Sequence, residues 1–259
     1  MENLKNFIDA HFHTLSDDGA AAAAASEDFA QGLSAGIEAG TSSDDSFAGR
    51  LRFADSYPHI YLACGCHPAA LDDDSHDIGI IKTQLQHEKV IAVGEIGLDY
   101  TYASSKHAQQ NLFAAQLEAA KALQKPVMLH IRDAHDDALA IIKELHSERG
   151  VVHCFTGPPA AAKQWLDLGF YLSFSGVITF KKADAVRASL IYAPPDAIFC
   201  ETDAPYLAPV PFRGKPNRPA YVAYVYAEAA RLKQMNEQDL AAAIKANFQK
   251  LYRVTLNGN

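Results

Sequence analysis

Eight short apolar runs, near residues 7–11, 33–37, 60–66, 90–95, 127–131, 151–155, 170–175 and 197–201, alternate along this chain with stretches of helical character. Eight strands alternating with helices over about 250 residues predict an α/β fold of the (β/α)₈ TIM-barrel type. A doubly wound open sheet is the competing architecture, but no G-x-G-x-x-G follows the first run. Helical stretches are expected at 106–123, with an apolar stripe through Phe113, Leu117 and Ala120, and at 133–145, with Asp133 as N-cap. Others are expected at 158–168, opened by prolines, and at 219–233 and 236–251. The second run is the weakest: residues 14–50 are rich in Ala, Gly, Ser and Asp. They read either as a flexible loop over the barrel mouth or, preferably, as an Ala-rich helix followed by a poor strand. With no internal repeat and no linker-like segment, residues 1–259 are read as one domain.

Five of these runs end in a metal-binding side chain. Strand-end candidates are His11 and His13 in the first, Glu95 in the fourth, His130 in the fifth and His153 in the sixth, with Asp203 just past the eighth. In a barrel of this type the C-terminal strand ends form the active mouth. His11 and His13 are two apart, share one face of a strand and can chelate one cation. Neutral imidazoles plus a carboxylate able to bridge are what a site for two hydrolytic divalent cations requires. Any one of these histidines taken alone is more simply a hydrogen-bonded core or surface residue; six at strand ends are not.

At 259 residues and 49% hydrophobic content the chain can bury a large core. It has no apolar run of membrane-span length, and the start MENLKNFIDA lacks the features of a signal peptide, so a cytoplasmic protein is expected. Cys64, Cys66, Cys154 and Cys200 form no C-x-x-C pair and read as free thiols of a reducing compartment; Cys66 and Cys154 lie near the proposed site, where a soft-ligand role is the alternative to simple burial. A formal charge of −8 argues against a general nucleic-acid coating protein. It leaves room for an enzyme of phosphodiesters, because two divalent cations would supply positive charge where the phosphate sits.

The motifs DAHFHT, GCHP, VGEIGLDY, MLHIRDA, VHCFTG and ETDAPYL, in that order, together with PFRGKPN, resemble those of the TatD-related metal-dependent deoxyribonucleases, a group of amidohydrolase-like TIM barrels. The resemblance runs from residue 7 to about 253 and is specific in order and spacing. It implies one metal held mainly by His11, His13 and Asp203, a second by His130 and His153, and Glu95 bridging them. It also implies that His67 and Asp99 line the site, and that the substrate is DNA, with exonuclease action expected. Two departures bear on substrate preference: Pro216-Asn217-Arg218-Pro219 stands where the family usually reads R-N-E-P, and residues 15–46 match poorly.

A metal pair of Zn, Mg or Mn lowers the pKa of water from about 15.7 toward 7. Asp203 is then the candidate to orient that water and take its proton. His67 could donate to the leaving oxygen or simply hydrogen-bond a turn before Pro68. Arg132 could clamp a phosphate or pair with Asp133 or Asp136. Arg213, Lys215 and Arg218, joined by Lys181 and Lys182, could contact a DNA backbone or only face solvent. Tyr206 and Phe212 could stack on an unpaired base or pack locally. Three other functions fit parts of the pattern. DAHFHT followed by SDDG resembles the opening of PHP-type phosphoesterases, although GEIGLDY and ETDAPYL argue against them. A small-molecule amidohydrolase could use the same barrel and ligands. A non-catalytic metal-binding scaffold is the remaining reading.

Overall fold

The computed structural model describes residues 4–14, 19–147 and 149–256. Asp17 and Asp18 of the SDDG segment lie outside them. Among the described residues eight parallel strands form one sheet in sequence order: β1 (Ile8–Phe12), β2 (Ala35–Ala39), β3 (Ile60–Cys64), β4 (Val90–Asp99), β5 (Val127–Arg132), β6 (Gly150–Val152), β7 (Tyr171–Phe174) and β8 (Ile198–Cys200). The helices are α1 (Ala20–Ala30), α2 (Phe47–Asp55), α3 (Ile78–Gln84), α4 (Lys106–Ala122), α5 (His135–Glu144), α6 (Pro159–Asp167), α7 (Asp184–Tyr192), α8 (Val222–Lys233) and α9 (Glu237–Tyr252). Each crossover returns the chain so that the next strand pairs parallel to the last, giving the expected (β/α)₈ barrel. Closure comes after β8: Phe12 bridges Ala204, His13 N–H donates to the Ala204 carbonyl (2.8 Å), and Asp203 N–H donates to the His11 carbonyl (3.0 Å).

The weak second strand forms because both of its edges are paired, Ile8 with Ala35 on one side and Gly36 with Ile60 on the other. Pairing and complete burial override its poor composition. The Ala-rich segment before it is helical, as preferred. Along α4 the buried stripe holds Phe113, Leu117 and Ala120, and Ser105 caps the helix by accepting from the Ala108 N–H.

Two local expectations are corrected. Asp133 does not cap α5: it takes φ 54°, and the helix starts at His135 after Ala134 with no side-chain cap. Glu95 does not end β4, which runs on to Asp99. The β4–β5 register shifts between Val93 and Ile96, and Gly97 (φ 148°) then passes so close to β5 that a Cβ would lie 1.9 Å from the His130 carbonyl oxygen. Only glycine allows this approach, which carries β4 past Glu95 and places Asp99 beside Arg132.

Candidate metal centre

Glu95 is the hub, 4% exposed at the barrel mouth. Its two carboxylate oxygens face different histidine pairs. Oε1 lies 2.8 Å from His130 Nδ1 and 2.8 Å from His153 Nε2. Oε2 lies 3.5 Å from His11 Nε2 and 3.7 Å from His13 Nε2. Asp203 Oδ1 completes the second group at 3.5 Å from both His11 and His13. Side chains from five separate strands and the turns just beyond them thus converge on one point.

Within each pair the ring nitrogens are in contact: His11 Nε2 and His13 Nε2 are 3.1 Å apart, and His130 Nδ1 and His153 Nε2 are 3.2 Å apart. Two buried nitrogens at this distance need either a proton or a shared cation between them. Neighbouring donors around one cation, with bonds of about 2.1 Å, sit at about this spacing. The donor set therefore fits divalent metal, and the triads His11–His13–Glu95 and His67–Glu95–His130 are each close enough to hold an ion.

The far side of three of these four rings is in hydrogen-bond contact, and that of the fourth, His153, faces a carboxylate. His13 Nδ1 donates to the Ala39 carbonyl (2.8 Å), His11 Nδ1 meets Met128 Sδ (3.0 Å), His130 Nε2 meets Asp99 Oδ2 (3.0 Å), and His153 Nδ1 faces Glu201 Oε1 (3.4 Å). Such partners fix which nitrogen points inward. Asp99 is accordingly behind His130 rather than in the substrate's path: it is 1% exposed, and its other oxygen accepts from the backbone N–H and hydroxyl of Thr101 (2.9 and 2.6 Å). Glu201 is not singled out by the sequence. Its position two residues before Asp203, in ETD, is the signal that could have found it. It is fully buried and also accepts from the Cys154 N–H (2.5 Å). Gln109 and Gln116 of α4 escape sequence reasoning too. Gln109 brackets the Asp99 backbone (2.9 and 2.8 Å), and Gln116 brackets that of Cys66 (2.7 and 2.9 Å), fixing the approach to His67. Buried glutamines on a helix carry no recognisable sequence signal of their own.

The charges follow from burial and proximity. Burial opposes ionisation of Glu95, yet the charge of His153 and the bonds from His130 and His153 hold its carboxyl well below the usual range. Burial likewise disfavours a charged His13, but its bond to Asp203 and the Glu95 carboxylate raise it to about 9. His153 is also pushed well up, against burial, by Glu95 and Glu201. His67 is different: burial dominates and brings it to about 3. Its Nδ1 accepts the Ala69 N–H (3.1 Å), leaving the ring proton on Nε2, 3.7 Å from Glu95 Oε1. His67 thus caps the turn through Pro68 and also faces the centre.

These residues open into a cavity of about 690 Å³ lined by His67, Arg132, Tyr102, Tyr206 and Thr156 among others. Arg132 is exposed and, among the described residues, forms no ion pair with Asp133 or Asp136. Cys154 lines the cavity with its thiol 3.2 Å from Ser175 Oγ, Cys66 is buried, and neither belongs to a candidate metal triad among the described residues. Arg213 and Lys215 lie outside the cavity lining; Arg213 lies over the Phe180 ring at 3.7 Å. Lys181 and Lys182 are exposed or nearly so on the loop after β7.

At two positions left open between substrate contact and another role, the structure shows a partner within the fold. Arg218 is bound to Asp28 (2.8 and 3.0 Å from Nε) and Glu27 (2.8 Å) of α1, so the base in PNRP ties the loop after β8 to the first helix. Its neighbour Asn217 donates to the carbonyls of Thr202 and Tyr206 (2.8 and 2.6 Å), bracing the turn that carries Asp203 at φ 58°. Phe212 is stacked on Tyr221 (4.1 Å, 9°) and packs locally.

Residues 8–253 match the family described as TatD related DNase. The uncharacterized metal-dependent hydrolase YabD of Bacillus subtilis is 40% identical over 79% of this chain and 82% of that protein. The 3'-5' ssDNA/RNA exonuclease TatD of Citrobacter rodentium is 36% identical over 79% of this chain and 81% of its own length. The crystal structure of YjjV, a TatD homologue from Escherichia coli K12, superposes with a TM-score of 0.84 at 32% identity, covering 98% of this chain and 100% of that one.

Proposed function

The chain belongs to the TatD-related DNase family of metal-dependent hydrolases, and from that membership we propose that it removes nucleotides from the end of single-stranded DNA at a centre of two divalent cations. The observation that carries this reading is the division of Glu95, one oxygen toward His11 and His13 and the other toward His130 and His153. One ion is assigned to His11, His13 and Asp203, the second to His130 and His153, with Glu95 shared. Cations held there would activate water at neutral pH and neutralise charge on the phosphate.

The chain's own groups supply the rest. Asp203, held in position by its backbone bond to His11 and by Asn217, orients the attacking water and accepts its proton as the new P–O bond forms. His67, neutral with its proton on Nε2, donates a hydrogen bond to the phosphate or to the departing oxygen, whose bond to phosphorus breaks; solvent completes its protonation. Arg132, exposed on the cavity wall and without an ion-pair partner among the described residues, contacts a phosphate. Arg213 and Lys215 lie outside the cavity and would meet the trailing strand. A cavity of about 690 Å³ admits a nucleotide but not a duplex, which supports an unpaired end as substrate. The four free cysteines support a reducing compartment such as the cytoplasm, and no described helix is long and apolar enough to cross a membrane.

The test is incubation of Mn²⁺- or Zn²⁺-reconstituted protein with end-labelled single-stranded DNA, duplex DNA and RNA, with EDTA as control. Stepwise shortening of single strands, abolished by EDTA, is expected. EDTA-resistant cleavage, or turnover only of small amides, would break the reading. Metal analysis should give two ions per chain, and an anomalous-scattering map should place Glu95 between them.

A further inference from the structure

Beside the metal cavity lies a second one of about 670 Å³, and the two share Ile131, Arg132 and Thr156. Arg132 therefore lines both cavities. The second cavity contains none of the proposed metal residues. Its lining mixes donors and acceptors. Lys106 Nζ sits 4.1 Å over the Tyr100 ring at one side. Asp137 is engaged by the Tyr100 hydroxyl (2.5 Å) and by Gln110 (3.2 Å), while Asp133 and Asp136 also line the wall.

His135 is the informative residue. Its Nδ1 accepts the Trp165 indole N–H (3.1 Å), which puts the ring proton on Nε2. That N–H has no hydrogen-bond partner among the described residues and is left open by Gly157, where a Cβ would lie 3.0 Å from Nε2. The result is a fixed donor beside carboxylate acceptors, with one cation at the wall and another at the rim. A phosphate deep in this cavity would be repelled by Asp133 and Asp136; a sugar and base, with donors and acceptors of their own, would not.

We propose that this second cavity is the subsite for the neighbouring nucleotide of the strand, with its sugar and base against His135, Asp136 and Lys106 and its phosphate at Arg132. The proposal rests on the nuclease reading and deepens it: the enzyme measures two consecutive nucleotides rather than one. The preferred substrate is then an oligonucleotide, and a lone nucleotide ester is a poor one.

Chain length tests this directly. The value of kcat/KM for p-nitrophenyl thymidine 5′-phosphate, which offers one nucleotide, is compared with those for thymidylate oligomers of increasing length, starting from the dinucleotide. A steep rise on adding the second nucleotide, on the order of tenfold or more, followed by a plateau is expected. In His135→Leu and Lys106→Met the ratio of oligomer to monomer values should fall about tenfold, mainly through KM. A second readout needs no turnover. Trp165 is the only tryptophan in the chain and is bonded to His135. Its emission should change saturably when a dinucleotide is added to the slow Asp203→Asn protein with Mn²⁺, and much less with thymidine monophosphate. Ratios untouched by both substitutions, with Trp165 indifferent to the dinucleotide, overturn the subsite while leaving the nuclease reading intact. Absence of metal-dependent turnover on every ester overturns both.

Discussion

Two buried glutamates on nearby strands have opposite surroundings. Glu38 of β2 is 0% exposed and complete: Arg50 Nε donates at 2.6 Å and the Thr14 hydroxyl at 2.9 Å, while Arg50 also donates to the Ala63 carbonyl at 2.6 Å. Glu95 of β4, 4% exposed, is surrounded by imidazoles that also crowd one another. The first carboxylate is neutralised by the fold itself, and that pair packs beside Gly40, where a Cβ would lie 2.1 Å from the guanidinium. The second is met by imidazoles whose protons a cation can displace. One buried acid is therefore satisfied within the fold, through Arg50 and Thr14 next to His13, and the other is the one proposed to serve chemistry.

The strongest test of this contrast falls on the chemical side. Asp203→Asn should fold, keep an oxygen ligand, and lose about 10²–10⁴-fold in kcat, the usual contribution of a general base. A near wild-type rate with both ions bound would pass the proton-acceptor role to another group. On the structural side, Arg50→Met leaves Glu38 buried and unpaired. Denaturant unfolding should show a loss of about 3–5 kcal/mol, equal with and without EDTA. A loss that appeared only in metal-loaded protein would erase the distinction between the two sites.

Smaller effects sharpen it. Glu201→Gln keeps the shape behind His153 but weakens the grip on its outer nitrogen; metal titration should show affinity reduced about 10–100-fold. Metal uptake should also depend on pH. The folded value of His13 is raised to about 9 from an ordinary 6.5, so its proton stabilises the metal-free protein fully below 6.5, and this contribution is lost as pH rises through 9. A cation must displace that proton. Calorimetry in buffers of different ionisation enthalpy should therefore find proton release on metal binding near neutral pH and affinity that climbs with pH, levelling above about 9. pH-independent binding would show that His13 does not meet the ion. Smallest of all, Arg213→Ala should weaken single-strand binding only a few-fold and reduce the slope of log K against log salt by about 0.7, with kcat at saturation nearly unchanged.

Much of this is legible in the chain because strands and metal ligands leave local marks. Apolar runs alternating with helical stripes locate the eight described strands to within a few residues, and His11, His13, Glu95, His130, His153 and Asp203 are drawn together, although Glu95 lies within its strand rather than at its end. The misreadings concern partners distant in sequence. In the sequence Arg218 is open between a DNA contact and solvent, and neither applies, because Asp28, its partner, lies 190 positions away along the chain. The resemblance places Asp99 in the lining of the site, and nothing local says that His130 stands in front of it.

The sequence by itself determined the barrel, the order of its strands and the identity of the residues at its mouth, because periodicity and residue chemistry are properties of neighbours along the chain. Tertiary structure alone decided which oxygen of Glu95 faces which histidine pair, which carboxylates stand behind the rings, and which basic side chains pair within the fold rather than face the cavity. Those outcomes depend on distances between residues on different strands and helices, and such distances exist only once the sheet has closed and α4 and the loop after β8 have packed against it.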